Sequence, residues 1–134
     1  MAGDPAGQLK MANAGADREG LSGAGQAIVN GVFFDQVPTV PPSGVAAKVA
    51  DGWMLLDVRT DDEWSGGRIS GSVHIPMDQL VARLDEVDDQ VVCICAVGSR
   101  SARVADYLNG QGREAVNLDG GIYAWAAAGL PVET

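Results

Sequence analysis

The chain has 134 residues, with 18 acidic and 9 basic side chains, a formal net charge of −9, and 46% hydrophobic and 20% charged content. That length and balance suit one soluble domain able to bury a core without disulfide staples, and the acidic surplus repels phosphate backbones, so no nucleic-acid partner is expected. Apolar runs such as Val91–Val97 are far too short to cross a bilayer, and the first residues lack the basic stretch and long apolar run of an export signal, so no membrane association is expected.

Residues 1–36 are rich in Gly and Ala without a sustained period, and are expected to be flexible. Within them "AIVNGVFF" reads either as a segment that adds a short strand or docks on the domain, or as a loosely attached hydrophobic patch. A single folded domain is expected from residue 37 to 134. "VPTV" reads as a short strand, and Pro41 to Ala50 as a helix capped by Ser43 and stopped at Asp51-Gly52. "WMLLDV" is a continuously apolar strand. "TDDEWSGG" begins with a capping residue and an acidic first turn and breaks at two glycines. "SVHIP" is a short strand, and "MDQLVARLDEV" places Met77, Leu80, Val81 and Leu84 on one helical face. "VVCIC" is a second apolar strand, "SRSARVADYLNGQG" a helix ended by Gly110 and Gly112, "EAVNL" a strand and "GIYAWAAAG" a terminal helix.

Strands apolar on both faces, separated by helices, predict an α/β domain with a mainly parallel sheet of about five strands covered on both sides. Ligands in such sheets bind beyond the carboxyl ends of the strands. That places Asp57 to Arg59, His74, Cys95 to Ser101 and Asp119 to Gly121 at the candidate site. The two cysteines, Cys93 and Cys95, leave the same face of one strand at a spacing near the upper limit for a disulfide. Both are expected reduced, in a cytoplasmic setting. Two cysteines and one histidine do not make a zinc site of Cys/His type, and neither metal nor cofactor is expected.

The chemistry concentrates in "VVCICAVGSRSARVA". A strand ends at Cys95, and Ala96, Val97, Gly98 and Ser99 form a short loop into a helix that carries Arg100 and Ser101. Loop amides and the helix N-terminus would face the sulfur as an anion cradle and stabilise a thiolate, with Arg100 adding a permanent positive charge. Cys93, two residues deeper, reads as a core thiol. Asp57 is expected to pair with Arg100 and brace the loop, and Arg59 to pair locally with Glu63 four residues on. His74 reads as structural, the tryptophans Trp53, Trp64 and Trp125 as packing, and the acidic run Asp85–Asp89 as a solvated loop.

Cys95-Ala96-Val97-Gly98-Ser99-Arg100-Ser101 resembles the active-site loop of the rhodanese family. "LLDVRTDDEW", "GGRISGSVHIP" and "NLDGGIYAWAAAGLPVE" resemble three further family segments in the same order, so the resemblance runs from about Val37 to Glu133. Arg68 stands where the family usually has His. The resemblance implies a sulfurtransferase in which Cys95 takes the outer sulfur of a small donor such as thiosulfate, becomes a persulfide, and yields that sulfur to cyanide, a thiol or a sulfur-carrier protein. It also implies the loop Ala96–Ser101 as the persulfide-binding element; Asp57 and Arg59, from their own positions, are expected as supporting residues, in a chain expected to act as a monomer. Two competing readings are a cysteine phosphatase or arsenate reductase of related fold, whose loop is longer than the four residues between Cys95 and Arg100, and a non-catalytic rhodanese-like regulatory or protein-binding module.

Overall fold

The computed structural model describes residues 28–29, 32–33 and 37–134. The flexible segment expected over residues 1–36 lies outside them, except that Ile28–Val29 and Val32–Phe33 pair as a short antiparallel ribbon. The main sheet contains β1 (Thr39–Val40), β2 (Met54–Asp57), β3 (Val73–His74), β4 (Gln90–Ile94) and β5 (Glu114–Leu118), in the spatial order β1-β5-β4-β2-β3. All four pairings are parallel. The two apolar runs of the sequence, β2 and β4, are inner strands paired on both edges, which is why they alternate so little: both of their faces are buried.

Each face carries its own core. On one, Leu56, Val91, Cys93, Cys95 and Ala115 pack with Val104, Ala105 and Leu108 of α3 (Ser99–Gly110) and with Leu80. On the other, Leu55, Val92, Ile94, Val116 and Leu118 meet Val45 of α1 (Val45–Ala50) and Ile122 and Trp125 of α4 (Gly121–Ala127). The period of two along a strand sends Cys93 and Cys95 to the α3 face and Val92 and Ile94 to the α1/α4 face. The fold is therefore the α/β domain with covered faces that the sequence implies.

Two local expectations change. The helix expected from Pro41 is a 3-10 turn, Pro42–Gly44, followed by α1, and Ser43 lies inside that turn rather than capping it. Pro41 precedes another proline, which pushes it into an extended conformation, observed at φ −72° and ψ 162°. "MDQLVARLDEV" is two 3-10 pieces, Met77–Gln79 and Val81–Glu86, the second interrupted at Arg83 with φ −117° and ψ 26°. In 3-10 geometry residues three apart eclipse, so Met77 packs against buried Leu80, while Leu84, beyond the interruption at Arg83, reaches the same core. Val81, four from Met77, swings out and is 69% exposed.

α2 (Asp61–Ser65) matches its sequence signature. The Thr60 hydroxyl accepts from the Glu63 amide, and the Glu63 carboxylate accepts from the Thr60 amide, a complete capping box. Among the described residues no helix is long and apolar enough to cross a membrane.

Candidate active site

β4 ends at Ile94, so Cys95 is the first residue beyond the carboxyl edge of an inner strand. Its sulfur is fully buried and surrounded by donors. The Gly98 amide lies 3.1 Å from Sγ, the Ser101 amide 3.3 Å and the Ser101 hydroxyl 3.2 Å. Two features bend the loop around it. Gly98 has φ +99°, a left-handed conformation that other residues enter at a cost. Behind the loop, α4 starts at Gly121, whose amide neighbours Ile122 and Tyr123 donate to the carbonyls of Cys95 and Ala96 at 2.9 and 3.1 Å. A Cβ at Gly121 would collide with those same carbonyls, so only glycine lets α4 press so closely on the loop. The loop carbonyls thus face α4 while two of its amides face the sulfur, the arrangement of an anion cradle.

Asn117, on β5 beside Cys93, is the residue that sequence reasoning missed. Its amide donates to the Gly98 carbonyl at 3.0 Å, and its Oδ1 lies 2.5 Å from the Ser101 hydroxyl. That hydroxyl carries one proton and has two acceptors within reach, Asn117 Oδ1 and Cys95 Sγ. It can serve a neutral thiol by bonding Asn117 and a sulfur anion by turning to Sγ. The one signal in the sequence is an asparagine inside the otherwise apolar run "AVNL".

The expected Asp57–Arg100 pair is not formed. Asp57 and Arg59 leave the end of β2 on the same side, and Arg59 folds back onto Asp57. Its Nη2 donates to Asp57 Oδ2 at 2.7 Å, and its Nε and backbone amide donate to Oδ1 at 3.0 Å each. The rest of the guanidinium donates to the backbone carbonyls of Glu63 at 3.1 Å and Gly67 at 2.7 Å. Arg59 therefore meets the main chain of Glu63, not its carboxylate as the local ion pair required. That carboxylate belongs to Arg100, which grips it with two bonds of 2.8 and 3.0 Å. His74 donates from Nε2 to the Arg59 carbonyl at 2.8 Å and stacks on Trp64 with centroids 4.7 Å apart, a structural position. Ser99 opens α3, and Val97 is exposed at the loop crest.

Two clefts flank the loop. One is lined by Arg59, Thr60, Asp61, Met77, Asp78 and Arg100, the other by Arg59, Asp62, Glu63, Ala96, Tyr123 and Val132. A roomier cleft, about 730 Å³, lies instead at the amino ends of the strands near Gly52, Asp88 and Glu114, and its lining holds no nucleophile. Burial pushes the Cys93 thiol up to about 12, with the neighbouring Cys95 charge adding to it, so Cys93 stays protonated in the core.

The Arg100 guanidinium holds the Glu63 carboxyl down at about 2. A carboxyl depressed from its ordinary 4.5 contributes stability that is fully present above that value and lost as pH falls toward 2. Both side chains of the pair keep 34% of their surface, so screening limits the contribution to about 0.2–1 kcal/mol. Urea unfolding of wild type and Glu63→Gln should give a constant stability difference above about pH 5 that shrinks between pH 4.5 and 2. A difference that grows on acidification would contradict the pairing.

The rhodanese-like domain family model matches residues 42–128. The chain belongs to the rhodanese-like domain family. A sulfurtransferase of Allochromatium vinosum is 42% identical over 82 residues, 59% of this chain and 77% of that protein. Thiosulfate sulfurtransferase GlpE of Pseudomonas savastanoi pv. phaseolicola is 33% identical over 99 residues, 71% of this chain and 92% of its own length. Among solved structures, a rhodanese-related protein from Thermoplasma volcanium superposes with a TM-score of 0.67 at 28% identity, covering 72% of this chain and 97% of that one. These rhodanese relatives place the chain in a family of sulfurtransferases, which move sulfur between a donor and an acceptor.

Proposed function

We infer that the protein is a thiosulfate sulfurtransferase-type enzyme with Cys95 as its nucleophile. The observation that carries this reading is the convergence of three donors on one cysteine sulfur at a strand end. Such a cradle stabilises a thiolate without a general base. The thiolate attacks the outer sulfur of thiosulfate; an S–S bond forms to Cys95, the donor's own S–S bond breaks, and its electron pair departs with sulfite. The resulting persulfide anion extends one atom further into the loop. There the amides of Ser99 and Arg100, at the first turn of α3 and without an acceptor inside the helix, are available to it. A thiophile then takes the outer sulfur and returns Cys95 as thiolate. Cyanide, a thiol or a sulfur-acceptor protein fits that second step. Asp57 and Arg59 support the loop only through α2, where Arg59 holds Glu63 by its carbonyl and the Glu63 carboxylate pairs with Arg100.

Only four residues separate Cys95 from Arg100, a tight loop that suits a single sulfur atom better than a tetrahedral oxyanion. Thiosulfate with cyanide should yield thiocyanate, and an aryl phosphate should be left intact. Robust phosphate release without thiocyanate would reverse the assignment in favour of a phosphatase. A wild type that takes up no sulfur from any donor would mark a non-catalytic binding module.

A further inference from the structure

Resting on the sulfurtransferase reading, the charges around the loop bear on which donors Cys95 accepts. Two guanidinium groups stand beside it, and both are already matched by carboxylates. Arg59 is consumed by Asp57 in a buried pair, and Arg100 is consumed by Glu63 through two hydrogen bonds. The remaining charged side chains lining the two flanking clefts are Asp61, Asp62 and Asp78. Outside those clefts, Arg68 is engaged by Trp64, donating to its carbonyl at 3.0 Å and lying 5.0 Å over its ring, and Arg103 is exposed on α3 three residues beyond Arg100. The Arg100 guanidinium is within electrostatic reach of the sulfur, since charge on Cys95 adds to the effect of Glu63 in holding Arg100 protonated. Among the charged side chains lining those clefts, a dianion approaching a thiolate therefore meets no uncompensated positive one, in a chain that already carries −9 overall.

We propose that Glu63 sets donor selectivity: as a built-in anion seated on Arg100, it slows dianionic donors such as thiosulfate relative to donors carrying one negative charge or none, such as thiosulfonates and alkyl persulfides, while leaving thiosulfate a working donor. The chemistry at sulfur is the same for each. With a thiosulfonate the Cys95 thiolate attacks the outer sulfur, the new S–S bond forms, the bond to the sulfonyl sulfur breaks, and the electron pair leaves with the sulfinate. With an alkyl persulfide the electron pair leaves on the alkyl thiolate, which takes the persulfide proton. What differs is the charge brought to the mouth.

Glu63→Gln is the informative variant, because glutamine keeps the carbonyl that completes the Thr60 capping box while removing the charge on Arg100. The probes are thiosulfate, with two negative charges, and methanethiosulfonate, a near-isostere with one. In a ping-pong reaction kcat/KM for a donor reports that donor's own half-reaction. Electrostatic free energy scales with the charge of the incoming ion, so if Glu63→Gln raises thiosulfate kcat/KM about tenfold, the monoanion should gain only about threefold. Selectivity should then shift toward thiosulfate by about threefold. In the wild type, added potassium chloride should raise kcat/KM for thiosulfate more steeply than for methanethiosulfonate, because screening relieves the larger repulsion more; this arm does not depend on the variant folding. Equal changes for both donors, a fall for both, or a thiosulfate rate that drops with salt would overturn the proposal. Intact mass separates the levels: sulfur still loading onto Cys95 with unchanged selectivity defeats only the role of Glu63, whereas no loading from either donor defeats the sulfurtransferase reading with it.

Discussion

Cys95→Ser is expected to take up no sulfur and to lose thiocyanate formation to the level of the buffer blank, while keeping its fold. The serine oxygen occupies the same end of β4 and meets the same donors, the amides of Gly98 and Ser101 and the Ser101 hydroxyl. The hydrogen-bond rearrangement should cost about 1 kcal/mol. A serine hydroxyl remains protonated near neutral pH and is a poor nucleophile toward sulfane sulfur, whereas a cradled thiolate is an intrinsically strong one. Cys93→Ala is the matching control. Cys93 is fully buried in the α3-facing core, and its thiol, pushed up to about 12 by burial, holds its proton at any working pH. Intact mass after thiosulfate treatment should show one added sulfur atom on wild type and on Cys93→Ala, removable by cyanide or a reducing thiol. An adduct on Cys95→Ser, or none on a folded Cys93→Ala, would move the nucleophile away from Cys95.

What the sequence revealed and what it concealed follow from how local each interaction is. β2 and β4 were legible because strands buried on both faces must be apolar at every position, and α2 because a capping box is written in residues three apart. The position of Cys95 was legible for the same reason: strand, glycine loop and helix are contiguous. The partners of the charges were not. Arg59 and Arg100 each had more than one carboxylate at plausible spacing, and the choice depends on which side of the strand end each side chain leaves. Asp57 and Arg59 alternate onto one side, so the shortest available pair formed within β2's own end, leaving Glu63, carried by α2, for Arg100. Asn117 was concealed because its role lies in a lateral contact between β5 and the loop that follows β4, with Gly98 and Asn117 19 positions apart along the chain. The 3-10 pieces after Pro76 were concealed because the apolar residues at 77, 80 and 84 are spaced as on an α-helix face, and only the step from 77 to 80 also fits 3-10 geometry.

Asp57→Ala should be the most destabilising change at the carboxyl edge, by about 3–5 kcal/mol, because it strands a charge. Asp57 is fully buried and Arg59 is 5% exposed. Without the carboxylate the guanidinium keeps only the carbonyls of Glu63 and Gly67, which cannot neutralise it. Against a typical total of about 5–15 kcal/mol, that loss should lower Tm on the order of 20 °C for a domain of this size. The effect should be strongly non-additive. Asp57→Ala combined with Arg59→Met removes both charges, replaces the guanidinium stem with apolar volume, and should recover a large part of the stability, as removal of a whole buried pair commonly does. The same double variant separates bracing from chemistry. Arg59 also presents its carbonyl to His74 and ties α2 to β2 through Glu63 and Gly67, so an Asp57 that only braces the loop allows turnover to return along with stability. Urea unfolding of the wild type, both single variants and the double variant, with sulfur-transfer rates measured on each, closes the cycle. A loss below about 1 kcal/mol in Asp57→Ala would show the pair to be solvated rather than buried, and a stable double variant without turnover would make Asp57 or Arg59 a direct participant in the reaction.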